Sequence, residues 1–274
     1  MLRVGRNAYS KLVPAVRFGT EKNIGFPPLN AIFARAVTHI RRGDGGAHPH
    51  TFCWAGDMLE AHARTGIRNR LLHKIGLEDW DLIGPHLEPI TLKERQIIEV
   101  PTKPITHAYF LEIGVASVVA VDAEDHRIEV GVIGYEGVTG VPLLMGDNRA
   151  QHSTYMQIGG SGHRIPQEPL VDAIAKSEGL RALMLKSAQG FMIQTAHTAL
   201  ANGRAKLEQR LARWLLMAHD RMTSDAVPLT HEFLAVMLGV RRAGVTVAIH
   251  GFERRGLVTT RRGQLTLVNR AGIE

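Results

Sequence analysis

The 274-residue chain has a single cysteine, Cys53. Within one chain that excludes a disulfide framework, a zinc ribbon and a four-cysteine iron–sulfur site, and it suits a reducing cytoplasm. There is no run of about 18 apolar residues, so no helical membrane span is expected. The apolar stretch of a secretory signal is missing. No glycine-rich stretch runs into Gly-Lys-Ser/Thr, and no GxGxxG opens a helix. No Ser–His–Asp order and no metal cage can be assembled, so neither an enzyme nor a cofactor is expected. His48, His50 and Cys53 in "HPHTFC" are metal-ligating types, but no second cluster accompanies them. The fourteen histidines are scattered and make no case for a haem.

Acid is scarce at both ends of the chain. Met1–Asp57 holds 8 Lys/Arg against 3 Asp/Glu, and Leu200–Glu274 holds 12 against 6. Between them Met58–Ala199 is acidic, with 13 against 17. A net charge of +7 gathered at the ends points to an anionic polymer as partner, most often nucleic acid.

Residues 1–57 carry Pro and Gly ("GFPPLN", "RRGDGGAHPH") and no sustained period. They read as a disordered basic extension, an organelle transit peptide, or sequence upstream of a true start at Met58. Residues 58–176 read as one domain. Leu71, Leu72, Ile75, Leu82 and Ile83 have helical spacing, and Pro85 and Pro89 end the helix. "QIIEV", "HAYFLEIG", "VASVVAVD" and "RIEVGVIG" then read as strands, with a hairpin turn at "DAEDHR". Gly131, Gly134, Gly137 and Gly140 follow at steps of three, as corners of a small β-barrel.

From Ser177 the period becomes helical. Leu180, Leu183, Met184, Ala188, Phe191, Met192, Thr195 and Ala199 form one stripe, until Asn202-Gly203 interrupts it. Residues 177–203 are therefore expected to be a dimerisation helix, with Leu180, Met184, Phe191 and Thr195 facing a second copy. Packing inside the chain is the other reading of that stripe.

Residues 204–274 carry the clearest signal. Thr230 is placed to cap a helix, and Phe233/Met237 and Leu234/Leu238 pair along it. Gly239 suits the left-handed position after its end, and a second helix starts two residues later. At 100° per residue Val245, Ala248, Ile249 and Phe252 share the buried stripe of that second helix. The opposite side carries Ala243, Val247, His250 and Arg254, with Thr246 at its edge and Arg241 and Arg242 at the first turn. Two arginines there oppose the helix dipole, a cost that makes sense if they reach outward to guanine edges in a major groove. "LVTTRRGQLTLV" reads as a hairpin wing whose Arg261 and Arg262 meet phosphates.

From about Leu71 to Glu274 the chain resembles the Crp/Fnr family of bacterial transcription regulators. "AYFLEIGVASV" is similar to that family's sensor barrel and "EFLAVMLGVRRAGVTVAIHGFERRGLV" to its DNA-reading unit. The resemblance implies an α+β chain: a cyclic-nucleotide-binding-like barrel of jelly-roll type, a long dimer helix and a C-terminal winged helix–turn–helix. It implies double-stranded DNA and a second copy as partners, an unknown small-molecule effector, RNA polymerase for an activator, and no membrane. The family's base-reading positions fall on Arg242, Ala243 and Val247, and the last two are uncharged here. Its cyclic-nucleotide site falls on Gly134, Glu136, Arg149 and Thr195, at altered spacing and with Ala150 where Ser or Thr follows the arginine. Cyclic AMP is therefore expected to bind weakly or not at all. The cysteine cluster of the oxygen-sensing branch is absent. A small-molecule-binding module whose basic end contacts protein or RNA is the alternative from another class.

Overall fold

The structure, a computed structural model, describes residues 66–261 and 263–274. The readings of residues 1–57, of His48, His50 and Cys53, and of Arg262 lie outside it.

Near the start of the described chain Asn69 is fully buried. Its Nδ2 donates to the carbonyls of Leu111 and Gly137, both at 2.9 Å, and its Oδ1 accepts from the N–H groups of Leu71 and Leu72. This starts a 3₁₀ turn (Leu72–Lys74) and a short helix α1 (Leu77–Ile83), which seat Leu71, Leu72, Ile75 and Ile83 in the core. Five antiparallel strands follow: β1 (Glu88–Leu92), β2 (Ile97–Glu99), β3 (His107–Val121), β4 (Arg127–Ile133) and β5 (Ser153–Pro166). A single turn of helix, α2 (Val141–Leu144), lies between β4 and β5.

The sheet of the expected jelly-roll-type barrel is not closed among the described residues. Its order is β1-β5-β3-β4, with β2 also on β5, and β1 does not pair with β4. Closing a barrel around a filled interior takes about eight strands, and this sheet has five. It curls instead. The β3–β5 ladder shifts register three times between Leu111 and Ala116, around Gly114 at φ 100°, and each bulge adds local twist.

Helices α3 (Gln167–Lys176) and α4 (Glu178–Arg204) cover the sheet. Ser177 caps α4, its Oγ accepting from Leu180 N–H at 2.9 Å. The expectation that Leu180 and Met184 face a second copy is corrected here. Leu180 and Met184 are fully buried in the chain's own core with Phe110, Ile165 and Leu170. Phe191 packs on the sheet beside Met156, and the Thr195 hydroxyl donates back to Phe191 C=O. The apolar side of α4 covers the open sheet because no closing strands do so.

Two of the four spaced glycines admit other elements rather than turn corners. A side chain at Gly131 would meet the Phe191 ring at 2.7 Å, so its absence lets α4 approach β4. There Gln194, fully buried, accepts from Val132 N–H at 2.6 Å and donates to Val132 C=O at 3.0 Å. Gly134 makes room in the same way for Arg221. Asn202-Gly203 does not interrupt α4. Glycine inside a helix costs only about 1 kcal/mol, and the chain breaks instead at Ala205 and Lys206, both extended.

The remaining elements are α5 (Leu207–His219), β6 (Ala226–Pro228), α6 (His231–Leu238), α7 (Arg242–Arg254), β7 (Val258–Arg261), β8 (Gln264–Leu267) and α8 (Arg270–Ile273). The small sheet runs β6-β8-β7. One core joins this unit to the large sheet: Leu211, Trp214, Leu234, Val245, Ile249 and Phe252 belong to the same buried cluster as Val115, Val119, Val132 and Ile158.

Candidate DNA-binding site

The site begins at a cap. Thr230 Oγ1 accepts from Phe233 N–H at 3.2 Å and starts α6. Gly239 ends it at φ 60°, ψ 43°, the left-handed conformation that costs a residue with a Cβ about 1–2 kcal/mol. Val240 N–H then returns to Ala235 C=O at 2.9 Å, and Arg210 donates to the last carbonyl of α6, Leu238 C=O. The turn sets α7 at 109° to α6, within the roughly 90–120° of a helix–turn–helix.

Val245, Ala248, Ile249 and Phe252 are buried, as the 100° rotation required. Arg241, Arg242, Ala243, Val247, His250 and Arg254 are all exposed, Val247 at 66%. An apolar side chain that open, flanked by four cationic or titratable ones, is a surface shaped for contact. Thr246 differs from its neighbours. Half-buried, its hydroxyl donates to Arg242 C=O and lies 2.9 Å from His231 Nδ1, so it braces α7 against α6. Burial, and then the charges of Arg242 and His250, hold the His231 imidazole below its usual range. The acid beside Arg242 is Glu232 at 3.9 Å, with both side chains mostly exposed, a geometry that leaves the guanidinium free to exchange partners.

The wing is tied to α7 at one point, where the Thr260 N–H and hydroxyl both donate to Glu253 Oε1. Gly263 turns the hairpin at φ 78°. Between wing and helices runs a cleft of about 320 Å³ lined by Thr230, His231, Arg242, Thr260, Arg261 and Gln264. A second concavity, between Lys206 at the start of α5 and Arg254 and Arg255 at the end of α7, flanks the other side. Lys206 and Arg255 there extend the cationic surface beyond what sequence spacing brought together. Lys206, at the extended break, and Arg255, past the helix end, carried no periodic signal.

The profile of the Crp-like helix-turn-helix domain matches residues 209–274. The C-terminal unit is a Crp-like helix-turn-helix domain. Solved Crp/Fnr structures share the overall fold. A transcriptional regulator assigned to the crp/fnr family, from Eubacterium rectale, matches at 17% identity and a TM-score of 0.59, covering 74% of this chain and 95% of its own. FixK2 from Bradyrhizobium japonicum matches at 16% identity and 0.59, covering 68% and 95%. CLP of Xanthomonas campestris, described as a c-di-GMP responsive global regulator, matches at 16% identity and 0.53, covering 70% and 99%. At these identities the likeness is one of fold. No curated protein matches the sequence. The chain thus carries a Crp-like helix-turn-helix domain at residues 209–274 and shares its overall fold with solved Crp/Fnr structures.

Of the four expected effector residues, Gly134 and Glu136 bond to each other, while Arg149 and Thr195 bond elsewhere. Glu136 is bound by Arg221, with Nη2 to Oε1 at 2.5 Å and both side chains at or below a tenth exposed. Gly134 N–H donates to the same Glu136 oxygen at 3.2 Å and packs on Arg221. Arg149 is exposed and donates to Thr102 C=O at 2.9 Å. Thr195 bonds within its own helix. The acid and arginine that a ribose phosphate would need are each held elsewhere. Sequence spacing did not bring Arg221 to Glu136, because 85 residues of chain separate them.

Among the described residues no single helix is long and apolar enough to cross a membrane.

Proposed function

We propose that the chain is a signal-responsive homodimer that reads an operator with α7 in the major groove and fixes its register with the wing. The exposed face of Arg241, Arg242, Ala243, Val247, His250 and Arg254, presented at 109° from a capped α6, carries this reading. Arg241 and Arg242 reach guanine edges, while Ala243 and Val247 are small enough to lie against thymine methyl groups. Arg254, Arg261 and Arg262 serve phosphates. Thr246 acts by bracing α7, with His231 as its partner.

The dimer seam moves to the outer side of α4. Ala182, Leu185, Gln189, Met192, Ala196 and Ala199 are all exposed at alternating steps of three and four, with Leu185 at 44% and Met192 at 61%. A seam with that 3.5-residue repeat suits a paired helix of its own kind. The protein acts by binding rather than catalysis, in the cytoplasm, with RNA polymerase as partner if it activates. Its effector is a small molecule, as c-di-GMP is for CLP, taken up elsewhere than at Gly134, Glu136, Arg149 and Thr195.

Selection of bound duplexes from a random pool tests the reading. Enrichment of an inverted repeat with half-sites about one helical turn apart is expected. A pool that returns no common sequence at moderate salt would remove it.

A further inference from the structure

The seam between the large sheet and the helix–turn–helix unit is mostly apolar, but a carboxyl lies in its middle. Glu129, on β4, is buried. Its Oε2 accepts from Ser117 Oγ on β3 at 2.5 Å, and its Oε1 accepts from Trp214 Nε1 on α5 at 2.8 Å. Ser117 Oγ also lies 3.5 Å from Met237 Sδ of α6, and the Tyr155 hydroxyl of β5 lies 3.7 Å from the same sulfur. The Trp214 ring in turn meets Phe233 of α6 edge to face, with 6.4 Å between centroids. One carboxyl therefore links the sensor sheet to both α5 and α6.

The charges around it do not balance it. Arg221, beyond the end of α5, is committed to Glu136 and to Met217 C=O. Arg213 of α5 exerts a Coulombic pull, but its Nη2 is buried without a hydrogen-bond partner among the described residues. Arg127, two residues before Glu129 on β4, is paired with Asp125, and Tyr155 is held neutral by burial and by Glu129 itself. From α6 the facing group is the uncharged Met237. Two hydrogen bonds and the charges of Arg213 and Arg221 oppose the desolvation of the carboxylate. Desolvation wins, and the carboxyl is pushed up to about 7.

We propose that Glu129 is a proton-operated latch, which seats the helix–turn–helix unit on the sensor sheet when protonated and loosens that seat when ionised, so that operator affinity depends on pH near neutrality. The sign follows from linkage. The seated carboxyl binds its proton more tightly than a solvated one, so the contribution is whole below the ordinary glutamate range. It is lost progressively from there up to about 7, at up to about tenfold in the seating equilibrium per pH unit, and levels off above. The coupling to operator affinity rests on the DNA-binding reading above; the latch does not.

Hydrogen exchange of the full chain between pH 6 and pH 8, corrected for intrinsic rates, tests it. Amides of α5 and α6 should lose protection as pH rises in the wild type but not in Glu129→Gln, which keeps a neutral side chain in place. Amides in the middle of β3 should not follow. Ser117→Ala removes a bond that favours the ionised form, so it should move the transition to higher pH, and it decides the matter if Glu129→Gln fails to fold. A wild-type transition that persists unchanged in Glu129→Gln would overturn the latch, as would β3 opening in step with α6. Operator affinity should vary more between pH 6 and pH 8 in the wild type than in Glu129→Gln. Equal variation would overturn the coupling. Exchange that titrates in a protein binding no duplex would uphold the latch and remove the DNA reading.

Discussion

Arg242 and Arg261 carry the same charge in different settings, and they are expected to do different work. Arg242 opens α7 beside the small Ala243, with the exposed Glu232 near it at 3.9 Å. A bidentate arginine–guanine pair is worth about 1–3 kcal/mol of discrimination. Arg242→Ala should therefore lower affinity for a selected operator roughly tenfold or more and relax preference at one base pair per half-site. Arg261 ends the wing strand β7, the position proposed to meet phosphate. Arg261→Ala should weaken specific and scrambled duplexes alike. It should also flatten the salt slope by roughly one unit for each phosphate no longer neutralised, or about two in a symmetric dimer. Titrations at several salt concentrations separate the two, and equal weakening on both duplexes for Arg242→Ala would reduce that residue to a phosphate binder. Gln194 is the matching case in the core. Both ends of its amide are spent on Val132 of β4, so Gln194→Ala leaves a buried donor and acceptor unpaired. It should cost about 1–3 kcal/mol per stranded group, measurable by urea unfolding.

At the scale of elements, α4 has two faces with opposite obligations. The inner one, Leu180, Met184 and Ala188, supplies the cover that five strands do not. The outer one, Leu185, Met192 and Leu200, leaves large apolar groups in water. A charge placed on each side should separate the two roles. Met192→Glu should leave a folded chain that sediments as a monomer at micromolar concentration. Met184→Glu buries an unpaired charge and should destabilise the chain itself. A Met192→Glu protein that remains dimeric would move the interface off α4. α6 and α7 show how a short element can be placed well. Thr230 caps the first, Gly239 ends it, and Arg210 closes its last carbonyl, so α7 leaves at a defined angle although α6 has only eight residues.

Across the whole molecule, one buried cluster runs from Val115 and Ile158 of the large sheet through Trp214 to Phe252 of α7. Units that share a core should not melt separately. Scanning calorimetry of the full chain should give a single transition whose calorimetric and van't Hoff enthalpies agree for the cooperative unit. Two resolved peaks would mean that the seam contributes little to either side.

What the sequence by itself determined was local. A capping threonine, a left-handed glycine and a buried stripe every three or four residues defined α6 and α7, and with them the exposed face of Arg241, Arg242, Ala243, Val247, His250 and Arg254. Each of those signals lies within about a dozen residues, where periodicity and backbone sterics act directly. Tertiary structure decided everything that depended on which face met which. Both sides of α4 are apolar enough to be read as a seam, and only the open sheet beneath it shows that Leu180 and Met184 turn inward while Met192 does not. Gly131 and Gly134 looked like corners because glycine signals a close approach without naming what approaches, here Phe191 and Arg221. Glu129 looked like one acid in a half-buried strand. Its burial, and the charge state that follows from it, come from Trp214 and Met237, 85 and 108 residues away along the chain, because desolvation is set by everything that packs around a group and not by its neighbours in sequence.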